Sequence, residues 1–135
     1  MATMIRDVEL EQRLQAERAA CGADRYDEIW EGVYVMAPMP NDEHQMLVNA
    51  LASILQEVVG WPGLGHVRPG VNVSDRVDDW RQNYRVPDVA VFLNDTQAVN
   101  HNAFWFGGPD LANNVRVSDP PASIDGSAVP EQEQE

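Results

Sequence analysis

The side chains of this chain that could do chemistry are its carboxylates, three histidines and one thiol; none of its nine basic residues is a lysine. Asp88 follows Pro87 at the head of the apolar run Val89-Ala90-Val91-Phe92-Leu93. Taken by itself, a Pro-Asp pair ahead of an apolar run is simply an acid that opens a buried strand. Glu28 alone reads as an exposed hairpin acid, and His44 as a surface histidine in the first turn of a helix. His66 and His101 have no ligand spacing and read as surface residues. Asp75, Asp78 and Asp79 resemble a calcium loop only faintly, because no glycine or closing glutamate follows at the required offsets. Cys21, the single cysteine, excludes an intramolecular disulfide and reads as a small half-buried hydrophobe. Phe104-Trp105-Phe106 could stack bases, but an apolar cluster beside a turn reads first as core.

These residues need elements to position them. Residues from about Ile5 to Ala20 are helix formers with a loose apolar stripe, which predicts a peripheral helix stopped by Cys21-Gly22-Ala23-Asp24. Tyr26 to Met36 predicts a β-hairpin turning at Glu31-Gly32. Asp42 is the expected cap of the next helix, with Gln45 as its capping-box partner. Met46, Leu47, Ala50, Leu51, Ile54, Leu55 and Val58 then share one helical face, and that face is expected to meet the core. His66 to Val73 alternates as a half-buried strand. Ser74 to Asn83 reads as a polar loop, and Arg85 to Leu93 as a central strand. Asn94 to Asn102 reads as loop or short helix, and Leu111-Ala112 begins a last strand that has little left to bury. Beyond it, Ser123 to Glu135 has the composition of disorder.

Composition narrows the function classes. A chain of 135 residues with 44% hydrophobic content fits one globular domain. No apolar stretch reaches the roughly 18 residues of a membrane span, and no basic-then-apolar leader opens the chain. The expectation is a cytoplasmic protein without membrane contact. The net charge is −13, and −9 of it remains when the residues from Asn113 onward are set aside. Such acidity opposes unassisted attraction to nucleic acid, which needs a basic surface.

The order hairpin, helix, strand, loop and Pro-Asp strand resembles the Uma family of restriction-endonuclease-like proteins, within the PD-(D/E)XK nuclease superfamily. The resemblance rests on Tyr26-Asp27-Glu28-Ile29-Trp30-Glu31-Gly32-Val33-Tyr34-Val35-Met36-Ala37-Pro38 and on Asn41-Asp42-Glu43-His44-Gln45. It continues in Gly70-Val71-Asn72-Val73-Ser74-Asp75-Arg76 and Asn83-Tyr84-Arg85-Val86-Pro87-Asp88-Val89-Ala90-Val91-Phe92, and closes with Trp105-Phe106-Gly107-Gly108-Pro109-Asp110-Leu111-Ala112. It implies an α/β fold (α+β by some conventions), an incomplete restriction-endonuclease-like core with a mixed central sheet, an N-terminal hairpin and one long amphipathic helix. The implied parts are an N-terminal helix over 1–22, the partial nuclease domain over 23–112 and an acidic tail over 113–135.

The resemblance further implies a Mg²⁺-dependent DNA endonuclease with Asp88 as first metal-binding carboxylate and Glu28 and His44 as further catalytic residues. In such a reaction the cation lowers the pKa of the attacking water and neutralises developing charge, and a lysine orients that water. The family pattern next asks for a strand carrying a glutamate, followed by a lysine. An ungapped reading puts Asn114 at the glutamate, with Arg116 two residues on, and arginine is a poor substitute for a tunable lysine. Two expectations follow. One is an endonuclease of this family with impaired hydrolysis. The other is a non-catalytic acidic binding or regulatory module, or the product of a truncated or frameshifted nuclease gene. For the second, the open edge of the last strand predicts either low solubility or a homodimer joined through that edge.

Overall fold

Thr3 opens the region described by the structure, a computed structural model that covers residues 3–116; of the tail expected over 113–135, residues 117–135 lie outside it. Strand β1 (Thr3–Ile5) precedes helix α1 (Val8–Cys21). Asp7 caps α1 by accepting from the Leu10 amide at 3.0 Å, and Gly22 ends it in the left-handed region, φ 76°. No residue of α1 is buried; Leu10 and Leu14 merely rest on Ile5, Ile29 and Tyr34, as expected of a peripheral helix. Cys21 is exposed rather than half-buried.

Strands β2 (Glu28–Trp30) and β3 (Val33–Met36) form the expected hairpin. Its two turn residues, Glu31 (φ 47°) and Gly32 (φ 82°), both have positive φ, the turn geometry that matches strand twist. Helix α2 (Asp42–Leu55) follows and continues as a π-helical turn, Gln56–Gly60. Its cap is Asn41, one residue earlier than expected, because the Asn41 Oδ1 reaches the His44 amide at 2.8 Å. Asp42 and Glu43 are thereby left in the first turn, where the helix dipole favours acids.

Strand β4 (Gly65–Pro69) ends at Gly70, and the chain bends into β5 (Val73–Ser74), so the expected single strand from His66 to Val73 is two. Gly70 has φ 63° and a Cβ there would meet the Tyr26 ring at 3.1 Å, which explains the break. A 3-10 turn, Trp80–Gln82, interrupts the polar loop before β6 (Tyr84–Arg85). The expected strand over Arg85–Leu93 is likewise divided: β6 ends at Arg85, and β7 (Val89–Leu93) begins beyond Pro87, which has no amide to donate. Three short strands finish the described chain: β8 (Val99–Asn100), where a loop or helix was expected, β9 (Trp105–Phe106) and β10 (Leu111–Asn113).

The class is α+β. A seven-stranded mixed sheet runs β1-β3-β2-β6-β5-β9-β8, with β5 and β9 its parallel pair. A three-stranded antiparallel sheet runs β10-β7-β4. The central strand β7 is buried on both faces, as its continuous apolar run requires. Val89 and Val91 meet α2 through Val48, Leu51, Ala52, Leu55 and Val59. Ala90 and Phe92 face the other way, where Phe92 stacks on Trp105 with centroids 3.8 Å apart. Phe104 and Trp105 are therefore core, and His66 and His101 are exposed.

The face of α2 differs from expectation. Leu51 and Leu55 do reach the core, but Met46, Leu47, Ala50, Ile54 and Val58 are exposed, and Val48, Ala52 and Val59 take their place. The helix is rotated on its sheet relative to the plain apolar pattern. Among the described residues, no helix is long and apolar enough to cross a membrane.

Candidate functional site around Asp88

Two chain crossings meet at Asp88. The segment after β4 leaves the small sheet for the large one at Gly70, and the segment 86–88 returns from β6 to β7. Pro69 and Val89 are paired in the β4–β7 register, so Gly70 and Asp88 sit side by side just beyond it, and the Gly70 amide donates to the Asp88 carbonyl at 3.1 Å.

Two further elements converge on this corner. The Asn41 cap fixes the first turn of α2 and points the His44 Nε2 at Asp88 Oδ1, 3.4 Å away. Past the end of β10, the Val115 amide donates to Asp88 Oδ2 at 2.7 Å, and the Asp88 amide donates to Asn114 Oδ1 at 3.3 Å. The Asp88 and His44 side chains are each about one-fifth exposed, so the corner is reachable from solvent. Of the site residues expected from sequence, Asp88, Glu28 and His44, the fold brings Asp88 and His44 into contact, and Asn114 lies beside Asp88. Val115 was not anticipated, because a backbone donor leaves no mark on residue type.

Glu28 is fastened beside this corner, not free within it. Its Oε1 accepts from the Trp30 indole at 2.6 Å and its Oε2 from the Val86 amide at 2.7 Å. The Arg85 guanidinium lies 4.8 Å over the Trp30 ring and donates to the Ile29 carbonyl at 3.1 Å. Glu28 thus ties the hairpin to the segment that delivers Asp88, which makes it a positioning residue in this arrangement.

Magnesium is held by oxygen ligands, usually one or two carboxylates with waters. Here one carboxylate faces an imidazole on one oxygen and an amide on the other. Both Glu28 oxygens and the Asn114 oxygen have donors of their own. Among the described residues, no group of three or more His, Cys, Asp or Glu side chains is placed to hold a metal ion. The described residues at this corner do not fit magnesium.

A second polar centre escaped sequence reading. Asp27 is 3% exposed, and its carboxylate accepts from Arg18 Nε at 2.7 Å, Arg18 Nη2 at 2.8 Å, the Ala37 amide at 2.7 Å and the Tyr34 hydroxyl. Burial pushes its pKa up, but the bonds from Arg18, Tyr34 and Ala37 outweigh it and hold the carboxyl below the usual range. Burial, together with the bond to Asp27, raises the Tyr34 phenol well above its ordinary value. The signal was period 2: Asp27 alternates with Glu28 and so shares the inward face of Ile29. This network forms part of the wall of a 360 Å³ groove between α1 and the hairpin, lined also by Glu11, Gln15, Arg81 and Tyr84. None of Asp88, His44 or Asn114 lines it.

Comparison of the chain with protein-family models, with curated proteins and with solved structures found no match.

Proposed function

We propose that this chain is a nuclease-fold protein of the Uma type, descended from Mg²⁺-dependent DNA endonucleases, in which phosphodiester hydrolysis is impaired. The observation that carries the reading is the contact between Asn114 and Asp88. The residue that stands at the family's glutamate position lies beside the residue at its first carboxylate position. A glutamate at 114 would set a second carboxylate against the first; asparagine supplies no charge and spends its oxygen on the Asp88 amide. His44 and Glu28 belong to the same reading as neighbours that orient and brace Asp88. DNA as partner and a cytoplasmic location go with it. A second reading, an acidic non-catalytic binding or regulatory module, is favoured by the engagement of Asp88 and Glu28 with protein donors and by the net charge of −13.

The test combines plasmid cleavage with cation-binding calorimetry, using Mg²⁺ and Mn²⁺. Wild type and Asp88→Ala should both leave supercoiled plasmid intact. Asn114→Glu should bind Mn²⁺ at least about tenfold more tightly than wild type, a gain of about 1.4 kcal/mol that disappears when Asp88→Ala is added. Cleavage by wild type that is lost in Asp88→Ala would refute the impairment. Equal Mn²⁺ affinity in wild type and Asn114→Glu would refute the equivalence of Asn114 with the family glutamate.

A further inference from the structure

Strand β10 is fastened at its two ends and hardly at all in between. At one end Asp110 Oδ2 accepts from the Leu93 amide at 2.7 Å. At the other, Asp88 Oδ2 accepts from the Val115 amide at 2.7 Å, and the Asp88 amide donates to Asn114 Oδ1 at 3.3 Å. Between these ends Leu111 is 43% exposed and Ala112 is exposed, and no side chain of β10 belongs to the three buried clusters. The strand lies at the edge of its sheet, paired with β7. An edge segment held by hydrogen bonds rather than by burial can open locally while the core stays closed.

Register explains why the last bonds fall on Asp88. The β10–β7 pairing ends at Asn113 and Val89, so Asn114 and Asp88 are next in line. There the main-chain ladder gives way to two reciprocal side-chain bonds, from the Val115 amide to the Asp88 carboxylate and from the Asp88 amide to the Asn114 side chain. Asp88 Oδ1 faces His44 Nε2, so Oδ2 is the oxygen whose access these residues decide. We propose that residues 111–116 form an autoinhibitory strap, which covers Asp88 Oδ2 with the Val115 amide and is displaced from it by a divalent cation.

The proposal rests on the reading of Asp88 as the family's first carboxylate and adds a control to that site. An amide hydrogen and a metal ion are both positive ends that seek the same oxygen, and a hydrogen bond to a carboxylate is charge-assisted. Lifting the strap releases two oxygens together, Asp88 Oδ2 and Asn114 Oδ1, both hard donors of the kind that suit magnesium and manganese. The poor fit of the corner to magnesium is then in part a property of its closed state. Cation affinity is reduced by the fraction of molecules in which the strap is open, so a change that opens it tightens binding without adding a ligand.

The experiment joins amide hydrogen exchange, followed by NMR with and without excess Mg²⁺, to Mn²⁺-binding calorimetry on the full chain. In wild type the Val115 amide should be protected, and Mg²⁺ should speed its exchange while the β7 amides stay unchanged. Val115→Pro deletes the donor and should bind Mn²⁺ at least about tenfold more tightly than wild type, as loss of one competing charge-assisted hydrogen bond requires. That gain should vanish when Asp88→Ala is added. Val115→Ala, which keeps the amide, should bind as wild type does. Val115 exchange indifferent to Mg²⁺, or equal Mn²⁺ affinities in Val115→Pro and Val115→Ala, would overturn the strap; the exchange arm needs no variant to fold. Asn114→Glu separates the strap from the family reading. A gain there with none in Val115→Pro removes the strap and leaves the reading, whereas the reverse leaves the strap and removes the equivalence of Asn114 with the family glutamate.

Discussion

Replacing Asp27 by asparagine should cost this fold a large part of its stability, and the structure sets the size. The carboxylate takes four hydrogen bonds, two of them from Arg18, with its side chain almost wholly buried. Asparagine keeps the shape, but one of its two acceptors becomes a donor and now faces a donor. Arg18 also loses its counter-charge. Breaking a buried pair by removing one partner costs about 3–5 kcal/mol, and the Arg18 side chain is 23% exposed, which moves the expectation to the lower end, about 3 kcal/mol. For a chain of this size that is a fall in Tm of roughly 10 °C. The pH dependence has a definite sign. The folded pKa of Asp27 is depressed, so its contribution is present above the unfolded value near 3.9 and is lost as pH falls through the folded one. Wild type should therefore lose stability on going from about pH 5 to pH 3 more steeply than Asp27→Asn. The assay is thermal unfolding followed by circular dichroism across that range, with Arg18→Met/Asp27→Leu as the isosteric double replacement. The double variant should be more stable than either single change, because no orphaned charge remains. A Tm for Asp27→Asn within about 2 °C of wild type, or parallel acid limbs for the two proteins, would refute the reasoning.

Other substitutions test neighbouring parts of the framework. Glu28→Ala should lower stability by about 1–3 kcal/mol, because the Val86 amide and the Trp30 indole both lose their acceptor; Glu28→Gln should recover part of the loss in the same melting experiment. Gly65→Ala should destabilise by about 1–3 kcal/mol. A Cβ there would stand 2.6 Å from the Phe92 carbonyl oxygen and 2.9 Å from the Leu93 Cα, both backbone atoms of the central strand. A chemical-denaturation midpoint equal to wild type would show that β4 can move away from β7.

Local features were legible where the chain acts locally. The hairpin at Glu31-Gly32 follows from two residues that accept positive φ, and β7 from an uninterrupted apolar run. Of the expected site residues Asp88, Glu28 and His44, the first and last meet at the corner, whereas Glu28 is held beside it by Trp30 and Val86. Where the reading slipped, a neighbour in space decided. The Asn41 cap displaced Asp42 because its carbonyl reached the His44 amide. Gly70 and Pro87 divided two expected strands because the chain changes sheets there. Met46, Ile54 and Val58 lie outside because a helix with two apolar faces has two ways to sit on a sheet, and composition cannot rank them.

The sequence alone determined that this is an acidic, lysine-free chain of mixed helix and strand, with one buried strand opened by Asp88 and an asparagine at position 114. Those are properties of residue type and spacing, and no partner alters them. Only the tertiary structure decided what those residues meet: Asp88 between His44 and the Val115 amide, Glu28 spent on Val86 and Trp30, and Asp27 closed around Arg18. Hydrogen-bond partners are set by the approach of segments tens of residues apart, and backbone donors such as Val115 have no signature in the residue that carries them.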